Sequence, residues 1–376
     1  MFDLDNARKF MQEEGFEALV PFSAEIAYYV SGTYMTSHFL FNRLLLPVIP
    51  LDGDPALVTQ VNEAVQTRAE SWIKDVRTYY SEFERGVMGV LVDLLKEMGL
   101  ENGRIGIDRE HISAPHYQEL CERLPGAKFD ECKKIFEKMR MIKSPDEIEI
   151  LRKAARATEK SILAAFEIAR VGDTELSIAK NMTINLVGQG ALLTCAPKYF
   201  MAFGSGKRSY INHPQPTEKK VRKGEAIRVD LGGMFSGYWS DISGYATVGK
   251  PSKLLSKDYE KLIKILDETL EFLKPGARAS DVYDCCKKLY EKHELRWDTP
   301  EAPQFLVGHG IGLAIHEAPA LLPLDNHPLQ QNMVLCIEIS GPWSQRQALA
   351  IEDLVVITKD GVKLLSEIQL EPYVVS

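Results

Sequence analysis

Residues 225–249 read EAIRVDLGGMFSGYWSDISGYATVG, and this stretch decides the fold because it places two aspartates in a predicted β-hairpin. Asp230 ends an apolar run, glycines punctuate the turn, and an aromatic pair leads back to Asp241. The hairpin therefore brings two carboxylates close together. Buried carboxylates at short range repel each other, so the pair must share a proton, bind cations or face solvent.

Length and composition restrict the class of protein. The chain has 376 residues, which predicts two domains, and its 45% hydrophobic and 26% charged residues are typical of a globular protein. A net charge of -8 argues against nucleic acid as the main partner. No apolar stretch is long enough to span a membrane, and residues 1–5 lack the pattern of a signal peptide. We therefore expect a cytoplasmic protein with no membrane partner.

The six cysteines form no CxxC pair, which predicts free thiols rather than a disulfide framework. Cys195 is a candidate nucleophile, but no activating motif accompanies it. A structural thiol is therefore the favoured interpretation.

Residues 1–133 alternate helix and strand signals and predict an α/β domain. No glycine-rich phosphate loop follows a strand there, which argues against nucleotide binding. Tyr28, Tyr29, His38 and Arg43 lie between the predicted elements. They either contact a ligand or serve in packing, and packing is the favoured interpretation.

A second domain is predicted over residues 134–376. Ser144 has the pattern of a helix N-cap, with Pro145 at the first helical position and Glu147 completing a capping box. A long helix and a second helix then precede the hairpin at residues 225–249.

The same order then recurs weakly along the chain, with predicted helices from Ser256 and from Ser280 followed by two strands. Those strands carry Glu338 in VLCIEIS and Glu352 in LAIEDLVVI. Burial of an acid inside an apolar run costs free energy unless the acid is paired, hydrogen-bonded or bound to metal. Two helix-helix-hairpin halves related by a pseudo-twofold axis would bring the acids of both halves to one centre.

Histidines complete a predicted metal site. The segment GHGIGLAIHEAP at residues 308–319 holds two of the eight histidines among glycines. Four hard oxygen ligands and one imidazole are more typical of a site for two divalent ions such as Mn²⁺, Co²⁺ or Zn²⁺ than of a thiolate zinc site. Four carboxylates and two such ions nearly cancel in charge, and two metals about 3.5 to 4 Å apart can bridge a hydroxide. The predicted ligands are Asp230, Asp241, His309, Glu338 and Glu352.

The ordered motifs VDLGG, YWSDIS, GHGIGLAIHE, IEIS and IEDLVVIT resemble those of the pita-bread metallopeptidases, which include Xaa-Pro aminopeptidases, prolidases and methionine aminopeptidases. The resemblance covers most of residues 134–376, and residues 1–133 resemble the smaller domain of the prolidase, aminopeptidase P and creatinase branch. It implies an α+β fold, in which a C-terminal pita-bread catalytic domain with a pseudo-twofold repeat follows a smaller α/β domain. A homodimer is also implied.

The resemblance assigns a role to each ligand. Asp230 would chelate one metal, Asp241 and Glu352 would bridge both, and His309 with Glu338 would complete the other.

The resemblance also implies catalytic roles for His213, His316 and Glu338. A metal-bridging hydroxide would attack the substrate carbonyl while Glu338 relays its proton to the leaving nitrogen. His213 and His316 would stabilise the tetrahedral intermediate. The other histidines are interpreted as structural or surface residues: His38, His111, His116, His293 and His327.

Two arginines that are usual in prolidase-like chains are replaced by Gly244 and Ala350. Arg346 and Arg208 are candidate substitutes. Three functions therefore stay open. The leading one is a Xaa-Pro peptidase acting on small peptides, either as an aminopeptidase or as a dipeptidase. The second is a metallohydrolase acting on a non-peptide C–N bond of a small amide or amidine, as in creatinase or ectoine hydrolase, and the third is a non-catalytic binding module.

Overall fold

The computed structural model describes residues 2–80, 86–191, 200–297, 306–341, 347–367 and 369–376. The described residues up to Arg140 form one compact unit, and those from Met141 onward form a second.

The first unit is an α/β domain with a six-stranded mixed sheet in the order β4-β3-β2-β1-β5-β6. Its strands are β1 (Ala18–Val20), β2 (Leu46–Pro50), β3 (Ala56–Gln60), β4 (Asp75–Tyr79), β5 (Arg104–Ile107) and β6 (Lys128–Glu131). Its helices are α1 (Leu4–Glu14), α2 (Ala24–Ser31), α3 (Thr36–Phe41), α4 (Ala64–Glu70), α5 (Val87–Glu97), α6 (Ala114–Arg123) and α7 (Lys133–Met141), which ends at the division.

Apolar residues pack on both faces of this sheet, and every residue of β1, β2 and β3 is buried. Strands covered on both faces need continuous apolar runs rather than alternation, as the sequence of these strands shows. The side chains for which packing was the favoured interpretation do contact neighbours within the unit: Tyr28 with Tyr34, Tyr29 with Phe2, Arg43 with Phe41, and His38 with the carbonyl of Phe22.

The described residues of the second unit form a four-stranded sheet, a five-stranded sheet, a two-stranded sheet and four long helices. Its helices are α8 (Pro145–Ile168), α9 (Glu175–Gly188), α10 (Lys253–Phe272) and α11 (Ala279–Lys292). Its strands are β7 (Phe200–Ser205), β8 (Ala226–Gly232), β9 (Met234–Phe235), β10 (Tyr238–Trp239), β11 (Ile242–Val248), β12 (Gly308–Gly310), β13 (Glu317–Ala320), β14 (Val334–Gly341), β15 (Leu349–Ile357), β16 (Val362–Leu364) and β17 (Tyr373–Val375).

The predicted repeat is visible in the order of these elements. Helices α8 and α9 precede a sheet in the order β17-β11-β8-β7, and helices α10 and α11 precede a sheet in the order β13-β12-β14-β15-β16. Strand β11 of the first sheet contacts β15 of the second. The strands that carry the predicted acids of the two halves are therefore neighbours.

Alternation along β14 and β15 directs the acids away from the helices. Ile337, Ile339 and Ile351 join the apolar core that α10 and α11 form on one face of the second sheet. Because successive side chains of a strand point to opposite faces, Glu338 and Glu352 point to the other face.

The capping box predicted at the start of α8 is confirmed. Ser144 accepts a hydrogen bond from the Glu147 amide at 3.3 Å, and the Glu147 carboxylate accepts one from the Ser144 amide at 2.7 Å. The predicted starts of α10 and α11 are wrong. Helix α10 begins one turn earlier than expected, because Ser252 rather than Ser256 is its N-cap.

Helix α11 begins after Arg278, so Ser280 is not its N-cap. The amides of Ala279 and Ser280 donate to the carbonyls of His327 and Asp325 at 3.0 and 2.8 Å. A backbone segment distant in sequence thus satisfies the first-turn amides, and no side-chain cap is required.

Candidate functional site

The hairpin brings the two aspartates together. Asp230 on β8 pairs with Ser243 of β11, and Asp241 immediately precedes β11. One oxygen of each aspartate, Oδ1, is buried and has no hydrogen-bond partner among the described residues. Burial raises the pKa of both carboxyls well above their usual range, and the neighbouring Glu352 raises them further. The charge of Arg228 lowers the pKa of Asp230 by less than burial and Glu352 raise it.

The second sheet contributes two more acids to the same place. Glu338 of β14 lies directly opposite Glu352 of β15. Glu352 is 4% exposed, and its Oε2 accepts a hydrogen bond from the Ser243 hydroxyl at 2.7 Å, which links the two sheets. Burial, followed by the charge of Glu352, raises the pKa of Glu338 well above its usual range.

His309 on β12 faces these acids. Its Nε2 lies 3.7 Å from Asp241 Oδ2 and 3.9 Å from Glu338 Oε1, while its Nδ1 donates to the Gly310 carbonyl at 3.0 Å. Burial lowers the pKa of His309 to about 4, so the imidazole is neutral near pH 7. A neutral ring with Nδ1 occupied presents Nε2 as a ligand.

The arrangement fits a divalent cation. Ligand atoms of Asp241, His309, Glu352 and Cys336 all lie within 4.8 Å of one another. Two buried carboxylate oxygens without partners and several carboxyls with raised pKa values are what a cluster of metal ligands shows without its ion, because a cation stabilises the charged form of each ligand.

The two predicted catalytic histidines occupy different positions. His316 stacks on His309, with ring centroids 3.9 Å apart and an interplanar angle of 19°. His213 lies at an exposed position, yet it is close enough to Arg228, Glu352 and His316 for their charges to affect its pKa. Partial desolvation, followed by the Arg228 charge, lowers that pKa. The structure thus places both histidines beside the acid cluster.

The residues interpreted as structural have local partners. His293 lies 2.9 Å from Glu268 and His327 lies 2.6 Å from Asp325. The prediction of free thiols is confirmed for the described cysteines, whereas Cys195 lies outside the described residues. These thiols are Cys121, Cys132, Cys285, Cys286 and Cys336.

The site contains groups that the sequence interpretation missed. Arg228 on β8 is 4% exposed and faces the acids, and the thiol of Cys336 lies 3.1 Å from Glu352 Oε1. A charged residue inside the apolar run AIRV, two positions before Asp230, was the available signal for Arg228, because residues i and i+2 of a strand share a face. For Cys336, the signal was its position two residues before Glu338, which places both side chains on one face of the strand.

One candidate arginine substitute, Arg208, forms an ion pair with the fully buried Glu175 at 3.0 Å. The other, Arg346, lies outside the described residues. The position of Gly244 has no room for a side chain, because an added Cβ would lie 2.4 Å from Cγ2 of Ile162.

Comparison with known proteins identifies two family models. The model described as metallopeptidase family M24 matches residues 149–359, and the one described as the creatinase/prolidase N-terminal domain matches residues 4–142. None of the described helices combines the length and the apolar character that crossing a membrane requires.

Similar proteins match over nearly the whole chain. The Xaa-Pro dipeptidase of Pyrococcus furiosus is 26% identical over 98% of both chains, and that of Pyrococcus horikoshii is 26% identical over 96% of both. The crystal structure of an X-Pro aminopeptidase from Thermotoga maritima has a TM-score of 0.84 at 22% identity, with all of both chains covered. A prolidase from Pyrococcus horikoshii OT3 has a TM-score of 0.83 at 24% identity, covering 98% of this chain and 99% of the other. The predicted pita-bread fold with its smaller N-terminal α/β domain is confirmed.

Proposed function

Because the chain belongs to metallopeptidase family M24, we propose that it hydrolyses the peptide bond before proline in small peptides and that it uses two divalent metal ions. The observation that carries this proposal is the cluster of buried acids around the neutral imidazole of His309. The similarity to Xaa-Pro dipeptidases supports the choice of substrate.

The metal ions would be Mn²⁺, Co²⁺ or Zn²⁺, since oxygen ligands with one imidazole suit these ions. Bound there, they would supply Lewis acidity that lowers the pKa of the attacking water and polarises the scissile carbonyl. The residues proposed to hold them are Asp230, Asp241, His309, Glu338 and Glu352.

Glu338 is proposed to move the proton. Its side chain keeps 35% exposure, whereas Asp241 and Glu352 are buried, so Glu338 can contact a substrate. Its carboxylate accepts the proton of the attacking water and returns it to the leaving nitrogen.

His316 and His213 are proposed to stabilise the developing negative charge. Stacking on His309 fixes the ring of His316 beside the acid cluster. Hydrogen bonds donated by both histidines strengthen as the carbonyl oxygen becomes an oxyanion, which lowers the barrier selectively.

A second function of the same site is supported by Ala350. This residue shares a strand face with Glu352 and stands where prolidases usually have an arginine. The same residues would then act on a non-peptide C–N bond of a small amide or amidine. The clustering of Asp241, His309 and Glu352, with Glu338 opposite Glu352, argues against the third possibility, a binding module without catalysis.

Assay of protein loaded with Mn²⁺ or Co²⁺ tests the proposal. The substrates are Xaa-Pro dipeptides, longer Xaa-Pro peptides and cyclic amidines, and metal-depleted protein is the control. Turnover of the proline peptides is expected. Turnover of the amidines alone would establish the second function, and turnover of neither class with any of the metals would refute both.

Metal stoichiometry provides an independent test of the ligands. Asp241→Asn removes the charge of a proposed bridging ligand, so we expect fewer than two ions per chain by elemental analysis after dialysis. A variant that retains two tightly bound ions would show that Asp241 is not a bridging ligand.

Three further proposals follow from the sequence. The domain boundary is proposed at residues 133/134, near the division between the two compact units. A homodimer is proposed, and light scattering after size-exclusion chromatography tests it. A cytoplasmic location is proposed, and cell fractionation tests it.

A further inference from the structure

Arg228 is a buried cation within the functional site. It lies on β8 two residues before Asp230, so both side chains share one face of the strand. Its Nη2 donates a hydrogen bond to the carbonyl of Asn212, the residue before His213. Arg228 therefore lies between the acid cluster and the segment that carries His213.

No carboxylate of the described residues lies within ion-pair distance of Arg228, although Asp230, Glu352 and Glu338 are near enough to favour its charged form. Its hydrogen bond to Asn212 is to a neutral carbonyl, although a guanidinium has five N–H donors. Lys143, the other buried cation among the described residues of this unit, does form a direct ion pair, with Glu317. A buried charge without a direct ion pair is costly, so the position of Arg228 requires an explanation.

The remaining donors of Arg228 are open to a ligand. None of its nitrogens is among the fully buried atoms that lack a partner, and the residue keeps 4% exposure. The donors that do not contact Asn212 therefore reach solvent. A guanidinium edge that is both desolvated and accessible is suited to a planar carboxylate.

The acids nearest to Arg228 are proposed metal ligands. The charges of Asp230, Glu352 and Glu338 favour the charged form of Arg228, and in the loaded protein these carboxylates would bind the ions. The donors of Arg228 would then stay available to a ligand.

We propose that Arg228 binds the free carboxylate of the substrate, so that the site selects Xaa-Pro dipeptides over peptides whose proline lacks a free carboxylate. This inference rests on the proposed function. In such a dipeptide only the backbone of one residue separates the carboxylate from the scissile carbonyl, so the carboxylate reaches Arg228 while the carbonyl lies at the acids.

Kinetics on a matched pair of substrates test the inference. Gly-Pro and Gly-Pro-amide differ only in the carboxylate. Loss of a charged hydrogen bond predicts that Arg228→Met raises KM for Gly-Pro by about 10- to 100-fold. KM for the amide should stay within about twofold, because the amide offers no charge. Arg228→Lys keeps the charge without the planar fork and should lie between the two.

The control variant is Arg170→Met, which removes a positive charge at an exposed position outside the site and should leave both KM values unchanged. Circular dichroism and metal stoichiometry establish that the Arg228 variants are folded and loaded. An Arg228→Met variant that weakens both substrates equally would overturn the inference, because Arg228 would then be a counter-ion of the acids only.

Calorimetric binding of L-proline and L-prolinamide to the Mn²⁺-loaded protein gives a readout that needs no turnover. We expect wild type to prefer proline and Arg228→Met to lose the preference. Wild type without a preference for the carboxylate, or Arg228→Met that keeps it, would overturn the inference. Failure to cleave any Xaa-Pro peptide would instead overturn the proposed function, and the binding comparison would still decide the role of Arg228.

Discussion

The buried ion pair between Lys143 and Glu317 predicts a large loss of stability when one partner is removed. Lys143 Nζ lies 3.2 Å from Glu317 Oε2, and the two side chains are 1% and 7% exposed. At an effective dielectric constant of about 20, this separation corresponds to an attraction of about 5 kcal/mol. Lys143→Met leaves the Glu317 carboxylate buried without its cation. We therefore expect the free energy of unfolding to fall by about 3–5 kcal/mol.

Urea denaturation measures this loss without adding salt. The control is Lys138→Met, because Lys138 pairs with Glu14 at a similar distance of 3.3 Å while both side chains are more than 40% exposed. That variant should lose less than about 1 kcal/mol. The reasoning is refuted if the two single variants lose the same amount.

The double variant Lys143→Met/Glu317→Leu separates the cost of an unpaired charge from the worth of the pair. It should recover most of the loss of Lys143→Met, because no buried charge remains. The pair also affects catalysis, since Glu317 follows His316 and accepts a hydrogen bond from the Ala314 amide at 3.1 Å. We expect kcat to fall in Lys143→Met even where the protein stays folded.

Three other perturbations test the packing and charge of the second unit. Gly244→Ala places a Cβ 2.4 Å from Ile162 and should cost about 1–3 kcal/mol in urea denaturation. The double variant with Ile162→Ala should lose less than the sum of the singles, and strict additivity would contradict this. Burial raises the pKa of Asp353 to about 8, so the native state keeps a proton that the unfolded state loses above about pH 4. Between these values the stability of wild type should fall relative to Asp353→Asn by about 1.4 kcal/mol per pH unit, and a difference independent of pH would contradict the assignment. Glu175 accepts hydrogen bonds on both sides of the segment that carries His213, so Glu175→Gln should lower kcat/KM and leave metal stoichiometry unchanged. A parallel loss of bound metal would show a general structural role instead.

Local sequence signals predicted most of the fold because they act over a few residues. The capping box at Ser144 requires only the residues of one helical turn, and it formed as predicted. The strands that carry Glu338 and Glu352 could be recognised from the sequence because an acid in a long apolar run is unusual. Helix α11 was placed wrongly at Ser280, since its first amides are satisfied by carbonyls more than 40 residues away.

The proposed ligand set could be assembled from order along the chain, whereas the cations around it could not. Which buried lysine or arginine approaches which acid depends on how helices and sheets meet, and no short-range pattern records this. The pairing of Lys143 with Glu317 joins residues 174 positions apart. The sequence signal for Arg228 was weaker. It is a charged residue in an apolar run, and its meaning depends on the strand face that it shares with Asp230.

Alternation along the strands also changes the meaning of the two replaced arginines. Gly244 pairs with Val229 rather than with Asp230, and its missing side chain would point at Ile162 of α8. Gly244 therefore affects the packing of β11 against α8, and its replacement of an arginine removes no charge from the acid cluster. Ala350 is different, because it shares a strand face with Glu352. Only the replacement at Ala350 thus lies on the face that carries an acid of the cluster, and the proposed binding of the substrate carboxylate by Arg228, from the other sheet, would compensate for it.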